Sequence, residues 1–359
     1  AFQGGKSVGV PGNIRLMSLV HEKWGKLPWA DLFMPAIQLA EGGFDVNETL
    51  EGRLKDIAPL WDRFPEAKEI YWKNGAPAKV GDTITNPKLA ATFERMADLG
   101  PDAFYSGQTA QEIINAVRTT AVNPSDMTQD DLNAYQAIER DAVCMPYRTY
   151  RICGMGPPSS GATTVLQILG MLENFDLPQL GSGSPESWHL IGEAMQLAYA
   201  DRAAYLGDPG FVYVPVDGLL NKDYLKNRAA LIKPDSALGT YEAGTPPEAE
   251  PRTEAPSSEV PGTTNFVAVD KDGNVVTMTS TIEGPFGSQL MAAGFFLNNE
   301  LTDFTFAPMK DGKPVANAVK GGKRPVSSMS PTIVFDSQGR PVLALGSAGG
   351  KRIIMHVAK

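Results

Sequence analysis

The chain has 359 residues, 42% of them hydrophobic, and a formal net charge of −9 at pH 7. That is enough apolar content for one large domain or two modest ones, and the negative charge argues against nucleic acid or an anionic membrane surface as partner. No run of about 18 apolar residues occurs, so no membrane span is expected, and without a charged-then-apolar leader at the start a targeting peptide is not expected in this form.

Val8 to Gly12 reads as loop and strand ahead of a helix from about Asn13 to Trp24. A second helix is predicted from Pro28, a residue suited to a first helical turn, to the stop at Gly42-Gly43. Glu51 to Leu60 reads as a shorter helix, and Ile70 to Val80 as a hairpin turning at Asn74-Gly75. Asn86-Pro87 opens a helix that Gly100 ends. Gln108 to Thr119 carries Ile113, Ile114 and Val117 at helical spacing and is a one-faced surface helix. Thr128, with Asp131 three residues on, has the form of a capping box. These helices carry no chemistry and read as scaffold. His21, His189 and His356 are scattered, without ligand spacing to either cysteine, so a metal site is not expected. Cys144 and Cys153 either face each other across a short hairpin or are free buried thiols.

Ala142 to Met155 reads as two strands. Gly156-Pro157-Pro158-Ser159-Ser160-Gly161 is a rigid turn feeding an apolar helix from about Ala162 to Asn174. Its Ser-Ser-Gly either caps that helix or holds an anion on backbone N–H groups. Ser184-Pro185-Glu186 opens a long helix to about Tyr205, ended by Gly207-Asp208-Pro209. From Pro234 to Gly262 the composition shifts to Pro, Glu, Ala, Ser and Thr, which marks a mobile linker. So long a structureless stretch belongs at a boundary or has a function.

The linker runs into Gly262-Thr263-Thr264-Asn265-Phe266-Val267-Ala268-Val269, and a second Val- and Thr-rich run, Val275 to Thr281, follows Asp272-Gly273. Asp-Gly between two such runs predicts a hairpin. Further strands are expected at Gly294 to Leu297, Thr332 to Phe335 and Pro341 to Leu345. Helices first and strands later predict layered α+β packing. A mobile segment entering a strand at Gly-Thr-Thr has two readings. One is a plain hairpin whose threonines suit a strand. The other is a cleavage site at Gly262–Thr263, which would give Thr263 a free α-amine beside its own hydroxyl. That is the nucleophile and base pairing of N-terminal threonine enzymes.

Downstream come Phe286-Gly287, Leu297-Asn298-Asn299-Glu300-Leu301-Thr302-Asp303-Phe304, Lys323-Arg324-Pro325-Val326-Ser327-Ser328-Met329-Ser330-Pro331-Thr332 and Gly346-Ser347-Ala348-Gly349-Gly350. With Gly262-Thr263-Thr264 these resemble the small subunit of γ-glutamyltranspeptidases, N-terminal nucleophile hydrolases whose family includes cephalosporin (glutaryl) acylases. The resemblance extends upstream through Pro157-Pro158-Ser159-Ser160-Gly161, Ala198-Tyr199-Ala200-Asp201-Arg202 and Tyr205-Leu206-Gly207-Asp208-Pro209, nearly the whole chain.

This resemblance implies a four-layer αββα sandwich, two central antiparallel sheets between helical layers. Residues 1–262, ending in the linker at about 234–262, would be the large-subunit part of one shared structural domain and residues 263–359 the small-subunit part. Family segments are expected to be lacking at both ends. It implies self-cleavage at Gly262–Thr263, Thr263 as nucleophile, Thr281 as the hydroxyl that orients it, and Gly349 and Gly350 as oxyanion donors. Glu300 and Asp303 would bind the α-amine of a γ-glutamyl group, and Ser327 and Ser328 its α-carboxylate. Glu283 stands where transpeptidases commonly carry an amine-binding asparagine, and Asn265 where histidine usually follows Thr-Thr. The family's carboxylate-clamping arginine has no counterpart upstream, and the lid segment from Asp303 to Ser327 is short.

The function implied is a threonine hydrolase and acyltransferase that needs no cofactor, located in the periplasm or secreted. It would cleave γ-glutamyl amides such as glutathione through an acyl-enzyme and pass the acyl group to water, an amino acid or a peptide. The two subunits would stay together. The alternatives are a cephalosporin or glutaryl acylase, and an unprocessed, non-catalytic binding protein.

Overall fold

Helices with one apolar face, stopped and started by Asn and Gly, build the first of two compact units. The computed structural model describes residues 2–254 and 262–359. The chain divides into a unit of residues 1–139 with 282–301 and a unit of residues 140–281 with 302–359. Each unit therefore takes chain from both sides of the 262–263 bond.

In the first unit the helices Asn13–Trp24, Met34–Gly42, Glu48–Ile57, Pro87–Leu99 and Gly107–Thr119 surround one core. The side chains of Asn47 and Asn86 accept from the Leu50 and Leu89 amides at 2.9 and 3.0 Å, satisfying N–H groups that a helix start leaves without partners. The second helix begins at Met34 rather than near Pro28. Pro35 sits in its first turn, and Ala30–Leu32 forms a separate 3₁₀ turn. The 70–80 hairpin shrinks to Trp72–Lys73 against Ala76–Pro77, because Ile70 and Tyr71 complete the Glu66–Tyr71 helix. Its turn is where expected: Asn74 and Gly75 have φ of 54° and 80°, the left-handed pair that a tight hairpin needs. Asp131 accepts the Thr128 amide at 2.7 Å, as a capping box does. Fully buried Trp61 packs on Tyr71, Trp72, Phe286 and Phe296 and donates its indole N–H to Gln289 at 2.9 Å. The returning 282–301 segment is thus part of this core.

In the second unit, Val143–Tyr147 and Tyr150–Gly154 pair antiparallel and set Cys144 opposite Cys153, where the two form a disulfide. Thr332–Phe335 pairs with Tyr150–Gly154, and Pro341–Leu345 lies outside it, completing a four-stranded sheet. The Gly161–Leu172 helix is buried along its whole length. Apolar apart from Thr163, Thr164 and Gln167, which are buried with the rest, it belongs at the centre of a core, and Pro185–Tyr205, Lys222–Ala229 and Arg352–Ala358 pack around it. Thr263–Val269 and Val275–Thr281 form the separate two-stranded sheet predicted from Asp272-Gly273. Thr277 Oγ1 donates to the Leu345 carbonyl at 3.2 Å, tying this hairpin to the four-stranded sheet's outer strand. The class is α+β.

The described part of the Pro- and Glu-rich segment, residues 234–254, has neither helix nor strand, yet it is held to the Pro185–Tyr205 helix. Glu193 accepts from Tyr241 Oη at 2.5 Å and from the Leu238 amide at 3.1 Å. Gly244 donates its N–H to Asp201 at 2.8 Å and accepts from Tyr205 Oη at 2.7 Å. The rest of the expected linker up to Pro261 lies outside the described residues.

Candidate active site

Thr263 is the first residue of its strand and directly follows exposed Gly262. The hairpin register pairs it with Thr281, the last residue of the partner strand. Neighbouring strands bring directly opposed side chains within about 5 Å, and here the two hydroxyls meet, Thr263 Oγ1 donating to Thr281 Oγ1 at 3.3 Å. Both residues are half-buried. A hydroxyl beside a possible nucleophile can fix its rotamer and accept its proton's hydrogen bond.

Asn265, two residues on, is also locked in place. Its Nδ2 donates to the Met278 carbonyl at 3.0 Å and to Thr279 Oγ1 at 2.9 Å. The amide lies so close to Gly346 that a Cβ there would fall 2.2 Å from Asn265 Nδ2. Gly346 starts the turn that carries Gly349 and Gly350, whose φ angles are 125° and 58°. Only glycine adopts the first of these readily, and a backbone without side chains can come close to a reacting oxygen. The turn ends at the Arg352–Ala358 helix, and Tyr199 Oη donates to the Lys351 carbonyl beside it.

Ser327 and Ser328 are positioned by the turn before the buried helix. Cis Pro157-Pro158 leads into it, Ser159 bridges Ser327 in parallel, and the Ser327 amide donates to the Pro158 carbonyl at 3.1 Å. Ser160 donates both its N–H and its Oγ–H to the Ser327 carbonyl, at 2.7 and 2.6 Å. Ser159 Oγ donates to the Met329 carbonyl at 2.5 Å. Of the two readings of this turn from sequence, the cap is met in part, by Ser159, whose Oγ accepts the Gly161 amide at the helix start at 3.2 Å. Ser160 makes no side-chain cap, and its amide is taken by Ser327 rather than free for an anion. From below, Arg202 donates Nε to Ser160 Oγ at 2.7 Å and Nη2 to Ser328 Oγ at 2.9 Å.

The carboxylates divide between the units. Glu283 and Glu300 belong to the first, and Asp303, with Thr263, Thr281, Ser327, Ser328, Gly349 and Gly350, to the second. Glu283 is buried with φ 73°, a conformation costly for a non-glycine residue. The adjacent Gly284 amide donates to Asn299 Oδ1 at 2.8 Å and Asn299's own amide to the Ile282 carbonyl at 3.1 Å, which holds this turn. Glu300 and Asp303 are the first and last residues of one 3₁₀ turn. The Glu300 amide donates to Asn298 Oδ1 at 3.0 Å, while Asn298 pairs with the Gly9 backbone at 2.9 and 2.8 Å. Asp303 is 2% exposed, and its carbonyl accepts from Asn317 at 2.7 Å.

Two features were missed from sequence. One is Arg202 beneath Ser160 and Ser328. The other is its neighbour Asp201, 0% exposed and paired with Arg228 at 3.0 Å. Burial pushes the Asp201 carboxyl above the ordinary aspartate range against the pull of Arg228, Gly244, Tyr224 and Gln167. A signal for both was present. Asp201-Arg202 is a charged pair inside the otherwise apolar Leu197 to Leu206 stretch, where charges must be buried and hence partnered.

Among the described residues no group of His, Cys, Asp or Glu gathers as metal ligands would, and no helix is long and apolar enough to cross a membrane. The family model described as Gamma-glutamyltranspeptidase matches residues 1–359. A "Glutathione hydrolase proenzyme" of Escherichia coli (strain K12) is 41% identical over 360 residues, 97% of this chain and 60% of the relative. An "Acylase ACY 1 proenzyme" of Pseudomonas sp. (strain SE83) is 35% identical over 352 residues, 98% of this chain and 60% of the relative. The chain thus spans about 60% of the length of these curated relatives. Among solved structures, Helicobacter pylori gamma-glutamyltranspeptidase has a TM-score of 0.66 at 35% identity, covering 69% of this chain and 71% of that one. Cephalosporin acylase from Bacillus halodurans has a TM-score of 0.87 over 100% of this chain and 63% of that one, and its 24% identity shows a shared fold alone. The fold is that of the N-terminal nucleophile hydrolases. With a family match over its full length and relatives at this identity, the chain belongs to the gamma-glutamyltranspeptidase family.

Proposed function

We propose that the protein is a self-cleaving threonine hydrolase and acyltransferase acting on γ-glutamyl amides such as glutathione. The observation that carries this reading is the Thr263–Thr281 hydroxyl pair at 3.3 Å on a strand that starts one residue after exposed Gly262. In self-cleavage, Thr263 Oγ1 attacks the Gly262 carbonyl, the amide C–N bond breaks in an N-to-O shift, and water hydrolyses the resulting ester. Residue 262 then ends in a carboxylate and Thr263 begins with an α-amine. Both compact units contain residues from 1–262 and from 263–359, which supports the two products remaining together.

In turnover the α-amine takes the Thr263 hydroxyl proton as Oγ1 attacks the γ-carbonyl, with Thr281 orienting the hydroxyl. The N–H groups of Gly349 and Gly350 receive the developing oxyanion, a role worth roughly 10²–10³ in rate per donor. The amine leaves with the proton, and the acyl ester on Thr263 passes to water, an amino acid or a peptide. Glu283, Glu300 and Asp303 bind the substrate α-amine, and Ser327 and Ser328 its α-carboxylate. No cofactor enters. The Cys144–Cys153 disulfide supports an oxidising location, the periplasm or outside the cell.

Intact-mass measurement with N-terminal sequencing tests the reading: fragments 1–262 and 263–359 are expected, the second beginning Thr-Thr-Asn-Phe. A chain that stays whole after long incubation yet binds ligand overturns it in favour of a non-catalytic binding protein. A second enzymatic reading, a glutaryl acylase, is favoured by the relative named acylase. Glutaryl-p-nitroanilide turned over faster than γ-glutamyl-p-nitroanilide would establish it, since a glutaryl group lacks the amine that three carboxylates would bind.

A further inference from the structure

The Arg202 guanidinium lies near the end of the Pro185–Tyr205 helix and is 5% exposed. It reaches two hydroxyls on different segments: Nε donates to Ser160 Oγ at 2.7 Å, and Nη2 to Ser328 Oγ at 2.9 Å. A guanidinium has five donors and no acceptor, so both serine oxygens must accept. That settles where the serine protons go. Ser160 gives its own to the Ser327 carbonyl at 2.6 Å. Ser328 Oγ, accepting from Arg202, has its O–H directed to an acceptor other than the guanidinium. A cation bound to a hydroxyl oxygen also makes that hydroxyl a stronger donor.

We infer that Arg202 is a positioning residue for the carboxylate subsite. It holds Ser328 as a polarised hydroxyl whose proton is directed away from the guanidinium and, through Ser160, fixes the backbone of Ser327. Its positive charge lies one hydrogen bond behind Ser328, where it favours an anion on the far side. This inference rests on the reading that Ser328 meets the substrate α-carboxylate, and it adds a residue that touches no substrate atom. The planar fork matters as well as the charge, because a lysine presents a single point of positive charge and cannot grip two hydroxyls in fixed directions.

The test is calorimetric binding of L-glutamate and of 4-aminobutyrate, which is glutamate without its α-carboxylate, to the full chain. This readout requires no turnover. The wild type is expected to prefer L-glutamate. Ser328→Ala should cut that preference roughly ten- to a hundredfold, the loss of a hydrogen bond to a charged group. Arg202→Met should cut it to a similar extent, with 4-aminobutyrate binding little changed, and Arg202→Lys should lose part of it. In Ser328→Ala/Arg202→Met the two losses should not add. A merely structural Arg202 would weaken both ligands alike, and that result overturns the inference, as does a full preference in a folded Arg202→Lys or Arg202→Met. Should Arg202→Met fail to fold, Arg202→Lys carries the decision. If Ser328→Ala leaves the preference intact, or the wild type has none, the underlying reading of the subsite fails instead.

Discussion

The Asp201–Arg228 pair offers the sharpest test of how the second unit is held together. Asp201 accepts three hydrogen bonds, from the Gly244 amide at 2.8 Å on Oδ1 and from Gln167 at 3.0 Å and Tyr224 Oη at 2.8 Å on Oδ2, and Arg228 Nη2 forms an ion pair with Oδ1 at 3.0 Å. Arg228 also donates to the Leu197 and Glu242 carbonyls, each at 2.9 Å. The two side chains are 0% and 7% exposed, so neither charge is screened by water. Asp201→Asn would leave the guanidinium buried without its counter-charge and turn an amide NH2 toward groups that are themselves donors. Removing one partner of a buried pair costs about 3–5 kcal/mol, a large share of a typical stability of about 5–15 kcal/mol. Tyr224→Phe removes a single bond to a charged acceptor and should cost about 1.5–3 kcal/mol.

Urea unfolding followed by far-UV circular dichroism reads these losses, and a double-mutant cycle with Arg228→Met isolates the pair. In the Asp201→Asn background, Arg228→Met should cost well under its value in the wild type. A pH signature accompanies it. Without Arg228, burial acts on the Asp201 carboxyl with one opposing influence fewer, so its folded value rises further. A raised folded value contributes stability that is present below the unfolded value and lost as pH rises through the folded one. The Arg228→Met penalty should therefore be smaller at about pH 4 than at about pH 8. An Asp201→Asn loss below about 1 kcal/mol, or additive single losses, would refute a charged, mutually dependent pair.

Thr281→Val keeps the strand but removes the hydroxyl facing Thr263, and turnover of γ-glutamyl-p-nitroanilide should fall on the order of 10- to 100-fold through misorientation of the nucleophile. Gly346→Ala drives a methyl into the Asn265 amide, so thermal unfolding should show a loss of about 1–3 kcal/mol, partly restored by adding Asn265→Ala. Reduction of the Cys144–Cys153 disulfide, or Cys144→Ser with Cys153→Ser, should lower stability by roughly 2–3 kcal/mol, the chain-entropy value for so short a loop; an unchanged urea midpoint would contradict this. Glu112 accepts from Lys88 at 2.8 Å, from Gln108 at 2.9 Å and from the Ala293 amide at 3.0 Å. Burial alone would raise its carboxyl, yet these bonds and the Lys88 charge outweigh it and hold it below the ordinary glutamate value. Its stabilisation is present above the unfolded value and lost as pH falls through the folded one. Glu112→Gln should thus be less stable than wild type by about 1 kcal/mol near neutral pH, with the gap closing in acid.

What the chain determines by itself is local. Asp272-Gly273 between two β-branched runs is enough to place the hairpin, and its seven-residue strands then force Thr263 opposite Thr281, because a short turn leaves the register little freedom. Asn86 and Gly100 bound a helix for reasons that lie within one turn of each. The boundary at Met34 and the early end of the 70–80 hairpin were decided by competing local starts, Pro35 and the Glu66–Tyr71 helix. Whether Cys144 and Cys153 bond was open in the sequence, since spacing alone fits both a thiol pair and a bridge; strand pairing put them side by side. Contacts over long sequence separations are a different matter. That Ser159 and Ser160 clasp Ser327 and Met329, that Arg202 stands beneath Ser328, and that Asn265 presses on Gly346 depend on packing between elements far apart in the chain. Sequence announced only that Asp201 and Arg202 had to find partners within the otherwise apolar Leu197 to Leu206 stretch. Which partners they found is a property of the tertiary fold, because a buried charge is indifferent to how distant in sequence its hydrogen bonds lie and is satisfied only by geometry.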